Sequence, residues 1–191
     1  MAVDLIITTF GAFRGRSRNG SDTLGQALVR KGDPRLRVLD LPVLWGVVES
    51  QLLPAIAEIQ PRVVLGLGEG EANAVRFETV AVNRREGLDE RNTEPEHPRI
   101  DASGPERLQS RWPVSTETLL ARCPAITISR DAGSFLCNNT LYRSLQSPVS
   151  FAAFLHLPPQ GTSRNEDYLE LYLAILQSLI DCSRVLETER V

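Results

Sequence analysis

Only two histidines and three cysteines occur among the 191 residues of this chain, and that scarcity excludes much. Cys123, Cys137 and Cys182 cannot all pair with one another, and their spacing fits no zinc motif. No apolar stretch approaches the roughly 20 residues that cross a bilayer as a helix. The first residues lack the basic region, apolar core and cleavage site of a signal peptide. A basic excess is missing too: the formal net charge is −3, whereas a nucleic-acid footprint needs a clustered positive surface. Arg14, Arg16 and Arg18 cluster locally and read as a solvated loop. There is no G-x-S-x-G elbow and no phosphate-cradling loop. These absences predict free thiols in a reducing, cytoplasmic setting, with no metal, nucleic acid or membrane as partner.

What remains is an ordinary globular composition, 42% apolar and 24% charged. It is enough for one full hydrophobic core, so a single domain over residues 1–191 is expected. Apolar, β-branched runs predict strands over 3–9, 36–41, 62–67, 75–83, 125–129 and 149–157. Helical spacing falls over 23–30, 47–59, 116–122, 134–145 and 165–186. Ser21 and Asp22 offer a cap for the first helix, and Pro54 kinks the second or marks its start. Glycines at 66, 68 and 70 predict a loop, and the polar, proline-bearing stretch 84–113 a long excursion of the kind that covers sites. Alternating strands and helices give an α/β class, a three-layer α/β/α sandwich around a mostly parallel, twisted mixed sheet. Ligands of such sheets sit at the carboxyl ends of the strands.

The run Asp131-Ala132-Gly133-Ser134-Phe135-Leu136-Cys137-Asn138 puts one thiol where a loop turns into a helix. With Ser134 as cap, Cys137 falls in the first turn, where free backbone N–H groups and the helix dipole favour a thiolate. Its own N–H is placed to face an oxyanion. His156, at the end of an apolar run, is the candidate base and later acid. Glu78 interrupts the apolar strand 75–83, and a buried carboxylate needs a partner, so it is the candidate orienter of the imidazole. Each has a plainer reading: a small buried thiol, a satisfied core histidine, an outward-facing strand carboxylate. His97 reads as exposed loop, Glu69 and Glu71 as solvated.

In the order Glu78, Cys137, His156, the chain resembles the pyroglutamyl peptidase I family (pyrrolidone-carboxylate peptidases, cysteine peptidases) along nearly its whole length. The family's nucleophile signature is matched by Ser129, Ala132-Gly133, Phe135-Leu136-Cys137-Asn138 and Tyr142. Its histidine segment is matched by Phe154-Leu155-His156-Leu157-Pro158, and its glutamate segment by residues 78–83. Thr8 to Phe13 and Asn19 fall where the family has its Thr-Gly-Phe, second Phe and Asn, and Trp112-Pro113-Val114 resembles its Leu-Pro-Val.

The resemblance implies a thiol exopeptidase that removes an N-terminal pyroglutamyl residue from peptides whose N-terminus is blocked. It would need no cofactor, and its expected assembly is a homo-oligomer, tetramer or dimer. Cys137 would be nucleophile, His156 base and acid, and Glu78 orienter. Phe10, Phe13, Asn19, Phe135 and Leu136 would bind the flat lactam. The departures concentrate on specificity: Gly68 where the family has Gln, Ala72 for an Arg, Leu88 and Asp89 for an Arg and an apolar wall residue, Gly20 for a Pro. Either neighbours such as Asn73, Arg76 and Arg91 take over the polar contacts, or the acyl group differs. A nucleoside phosphorylase-like enzyme on the same fold and a non-catalytic relative are the rival readings.

Overall fold

In the computed structural model, which describes residues 3–13, 15, 19–70, 75–159, 177–178 and 180–181, β1 (Leu5–Phe10) is buried along its whole length. An unbroken run of Leu, Ile, Thr and Phe with both faces covered belongs in the interior of a sheet clothed by helices on each side. α1 (Gly20–Lys31) follows, and Asn19 rather than Ser21 is its cap: Asn19 is extended and its side chain accepts from the Ser21 amide. Ser21 instead lies inside the helix, and its hydroxyl accepts from the Phe10 amide at 3.1 Å, tying the helix start to the end of β1. The helix stops at Gly32, which is left-handed.

β2 (Leu36–Leu41) leads to a π-helical turn (Val48–Leu52) and α2 (Leu53–Ile59). Pro54 is the second residue of α2, which continues the π-helical turn without a break: Leu52 and Leu53 are both helical and the Leu53 amide donates to the Val48 carbonyl. β3 (Val63–Glu69) runs straight through Gly66 and Gly68, two of the three glycines that predicted a loop. Their cause is packing: a Cβ at Gly66 would come within 2.2 Å of the Phe154 ring, and one at Gly68 within 2.9 Å of the Cys137 sulfur.

The single strand expected over 75–83 is two, β4 (Val75–Glu78) and β5 (Val80–Val82). At Thr79 the chain changes partners, its amide donating to Ser129 and its carbonyl accepting from Ser110. β5 then pairs with the short β6 (Arg107–Gln109) in a separate antiparallel ribbon. The polar excursion 84–113 is pinned by Asn83, whose side-chain amide donates to the Asp101 and Gly104 carbonyls while its oxygen accepts from the amides of Ile100 and Asp101. α3 (Thr116–Arg122), capped by Ser115, β7 (Ile126–Ser129), α4 (Leu136–Gln146) and β8 (Phe151–Leu157) complete the order. The closing helix expected over 165–186 falls almost wholly outside the described residues, as do Arg14, Arg16, Arg18, Glu71, Ala72, Asn73 and Cys182.

The six-stranded sheet has the order β2-β1-β3-β8-β4-β7. All its pairs are parallel except β4 with β8. Leu24, Leu28 and Leu119 of α1 and α3 pack with Ile7, Leu65 and Phe77 on one face. Ile56, Leu141 and Tyr142 of α2 and α4 pack with Ile6, Val64 and Phe154 on the other. This is the expected mostly parallel mixed sheet between helical layers. No helix among the described residues is long and apolar enough to cross a membrane.

Candidate active site

The antiparallel pairing of β4 with β8 sets Arg76 opposite His156 and Glu78 opposite Phe154. Glu78 and His156 are therefore diagonal neighbours on one sheet face, within reach of long side chains. His156 Nδ1 and Glu78 Oε1 are 2.8 Å apart. Glu78 is wholly buried and His156 only 5% exposed, so the pairing offsets a desolvation that neither could bear alone. The Arg76 guanidinium reaches the same carboxylate oxygen at 3.5 Å.

Cys137 arrives from the opposite layer as the second residue of α4. Ser134, the cap expected from sequence, is engaged elsewhere: its carbonyl accepts from the Glu86 amide and its hydroxyl lies 3.4 Å from Glu86 Oε2. Phe135 takes the cap position with extended backbone and no side-chain bond, so the N–H of Cys137 faces no intrahelical acceptor. The sulfur lies over Gly68, which is in register with His156 on the adjacent strand. The imidazole thus has Glu78 on Nδ1, and the Cys137 sulfur is near enough for its charge and hydrogen-bonding capacity to act on the ring. Phe154 packs beside the ring, centroids 4.9 Å apart. Burial pushes the His156 pKa down, but the charge and hydrogen bonds of Cys137 and Glu78 outweigh it and raise it to about 9. A pKa raised this far favours the protonated ring at neutral pH.

Beside the sulfur opens a cleft of about 350 Å³. Phe10, Phe13, Asn19, Phe135 and Leu136, the five residues singled out for a flat ring, all line it together with Cys137. Phe135 stacks on Phe13 with centroids 5.6 Å apart and takes the edge of Trp45 at 5.1 Å. Trp45 is fixed in turn by donating from its indole nitrogen to the Gly87 carbonyl at 3.0 Å. Gly87 has φ +105°, and a Cβ there would stand 3.2 Å from the Phe135 ring. Asn19 is largely occupied by its capping role, its amide donating to Gly11 and its oxygen accepting from Ser21.

Sequence reasoning missed Val43, Glu69, Glu86 and Gly87 in the lining. Val43 follows the carboxyl end of β2, the one general signal available. Glu69, read as solvated, ends β3 half-buried, and its Oε1 accepts from the Gly20 amide at 2.8 Å. Asp89, read as an acid in the pocket wall, is buried outside this lining and faces a neighbouring cleft. Burial acts against its charge, yet the amides of Thr93, Trp45 and Arg91 hold its carboxyl below the ordinary carboxylate range. Leu88 is exposed, Arg91 contributes its backbone amide to Asp89, and Arg76 serves Glu78. His97 is an exposed loop residue, as expected.

A family model described as pyroglutamyl peptidase matches residues 3–167. Human pyroglutamyl-peptidase 1 is 32% identical over 188 residues, which cover 93% of this chain and 90% of the human protein. The pyrrolidone-carboxylate peptidase of Pectobacterium carotovorum subsp. carotovorum (strain PC1) is 30% identical over 175 residues, covering 84% of this chain and 81% of that one. Among solved structures, the pyrrolidone carboxyl peptidase from Thermococcus litoralis superposes with a TM-score of 0.83, covering 98% of this chain and 96% of that one. At 23% identity this last is a likeness of fold. The matches do not favour the phosphorylase-like or the non-catalytic reading.

Proposed function

Because the chain belongs to the pyroglutamyl peptidase family, we propose that it is a cysteine exopeptidase that hydrolyses the amide bond after an N-terminal pyroglutamyl residue. One observation carries the assignment of roles: a buried imidazole bonded to Glu78, with the Cys137 sulfur acting on it from the edge of an aromatic cleft. The raised His156 pKa supports a ring that carries the proton the leaving amine needs.

The sulfur of Cys137 adds to the scissile carbonyl carbon, and the carbonyl electrons move onto oxygen, where the N–H of Cys137 is placed to meet the oxyanion. Collapse of this intermediate breaks the carbon–nitrogen bond while His156 gives its proton to the leaving amine. The thioester that remains is attacked by water, whose proton passes to the now neutral His156, and pyroglutamate leaves as the thiolate reforms. Glu78 keeps the imidazole in one tautomer and orientation throughout. Phe10, Phe13, Phe135 and Leu136 bury the lactam faces.

The same reading carries a cytoplasmic location, which suits the free thiols of Cys123 and Cys137, and a homo-oligomeric assembly, tetramer or dimer, which sedimentation measures. The direct test is release of aminocoumarin from its pyroglutamyl amide. Wild type is expected to turn over, and Cys137→Ala to lose roughly 10⁴-fold or more in kcat with its fold intact. Equal rates from the two proteins end the proposal.

A further inference from the structure

Arg76 stands directly opposite His156 across the antiparallel pairing of β4 with β8, and Glu78 is the next residue on the same strand face. Two cationic groups facing each other across strands are destabilising. Here one carboxylate oxygen serves both: Glu78 Oε1 lies 2.8 Å from His156 Nδ1 and 3.5 Å from Arg76 Nε. The far end of the guanidinium reaches the cleft lining at Gly70, where a Cβ would stand 3.3 Å from Arg76 Nη2 and 2.9 Å from His156 Cβ. The missing side chain leaves the space in which guanidinium and imidazole both fit.

The charged and titratable groups around the ring are therefore Glu78 and Arg76 on β4, Cys137 on α4, and Glu69 at the end of β3, whose Oε1 meets the Gly20 amide. Of these, Cys137 changes during the reaction. In the free enzyme, burial lowers the ring's affinity for a proton, and the charge and hydrogen bonding of Cys137 and Glu78 outweigh that and raise it. Once the sulfur is a thioester it carries no charge. His156 has by then given its proton to the amine, and it must stay neutral to take one from water. Glu78 is wholly buried. With the imidazole as its sole counter-charge it would draw a proton back onto the ring, since a neutral ring leaves the carboxylate unpaired. A guanidinium keeps its charge throughout, so Arg76 pairs with Glu78 whether or not the ring is protonated.

We propose that Arg76 is a positioning residue for the second half of the reaction: through the Glu78 carboxylate it lets the imidazole remain neutral beside the thioester and accept the proton of the attacking water. The inference rests on the thioester reading above. Release of the amine needs a ring that carries a proton, and Arg76 gives no help there. Hydrolysis needs a neutral ring, and there it does.

The test follows aminocoumarin release from the pyroglutamyl amide by Arg76→Met and Arg76→Lys. Arg76→Met keeps a long stem and removes the charge. It is expected to lose roughly 10-fold in kcat, the effect of about one pKa unit on a neutral base. Its kcat/KM should change by less than about 3-fold, because that ratio does not extend past the release of the amine. The thioester should accumulate, read as a burst of aminocoumarin approaching about one per active site. The acid limb of kcat should move up by about one pH unit, since a ring without the neighbouring cation gives up its proton less readily. Arg76→Lys keeps the charge and should bring the limb most of the way back. Should Arg76→Met fail to fold, Arg76→Gln and Arg76→Lys decide by the same limb. A loss shared equally by kcat and kcat/KM, or an acid limb that stays in place, overturns the inference and leaves the peptidase reading standing. No release of aminocoumarin by wild type removes that reading, and the inference with it.

Discussion

The floor of the site and its wall are built on different principles. Glu78 and His156 stand on paired strands and Cys137 on the first turn of a helix packed against them, so sheet register and helix packing fix their positions. The wall is held by hydrogen bonds between segments far apart in the chain: Trp45 to Gly87, Gly20 to Glu69, the amide of Trp45 to Asp89. A thiol, an imidazole and a carboxylate acting as one unit tolerate little displacement. A binding wall is free to vary segment by segment, and so to change what it admits. Substitutions in the floor should therefore cost rate, and substitutions in the wall should cost selectivity or local stability.

The largest effect that sharpens this contrast is expected at Glu78. Glu78→Gln preserves volume but offers the ring a neutral group in place of its 2.8 Å carboxylate partner. A fall in kcat of roughly 10³–10⁴-fold is expected, by analogy with loss of the orienting carboxylate in a serine triad, with KM almost unchanged. The His156 pKa, about 9 in the folded protein against an ordinary 6.5, should fall, and the alkaline limb of the pH–rate profile should move to lower pH. Stability follows the same sign. A folded pKa above the unfolded one contributes fully below about pH 6.5 and is lost as pH rises through about 9. Wild type should lose part of its unfolding free energy across that window, and Glu78→Gln less of it. A KM effect with kcat preserved would break the comparison.

The next effect lies where floor and wall meet. Gly68→Ala places a methyl group 2.9 Å from the Cys137 sulfur and 3.0 Å from the Phe154 ring. Neither neighbour is the far end of a flexible side chain, so the sulfur or the strand must shift. A fall of roughly 100-fold in kcat/KM is expected from so small a displacement at a reacting atom, with stability lowered by about 1–3 kcal/mol through overpacking. Full activity in this variant would mean that the sulfur is not held where Gly68 makes room for it.

The same divide governs how much the sequence discloses. Strand and helix periodicity, together with a thiol at a helix start and an acid within an apolar strand, made the sheet and the three floor residues legible. The glycines of β3 were misread because their cause is a contact across layers, the sulfur and ring that occupy the place of a side chain, and no local pattern encodes that. The split at Thr79 was invisible for the same reason, since it depends on which distant strand offers hydrogen bonds. Glu69 and Asp89 were misplaced because a loop carboxylate looks solvated or pocket-facing until the amides that surround it are known.

The smallest effect is expected at Asp89, which separates holding the wall from touching the substrate. Its carboxylate takes the amides of Trp45, Arg91 and Thr93 at 2.9–3.1 Å, joining the segment before α2 to the loop that carries Gly87. Asp89→Asn keeps one acceptor oxygen but turns an N–H₂ toward at least one of these donors. A loss of about 1–3 kcal/mol is expected for a buried group left badly paired, with KM raised a few-fold through Trp45 and Phe135, and kcat nearly unchanged. The pH sign is opposite to that of His156. A carboxyl held below its ordinary 3.8 contributes fully above that value and is lost as pH falls through its lowered pKa. Acid unfolding of wild type should therefore show a contribution that Asp89→Asn lacks, with the two curves converging at the acid end. A kcat loss as large as that expected for Glu78→Gln would place Asp89 with the floor, and the division between a rigid reacting centre and a separately held wall would not stand.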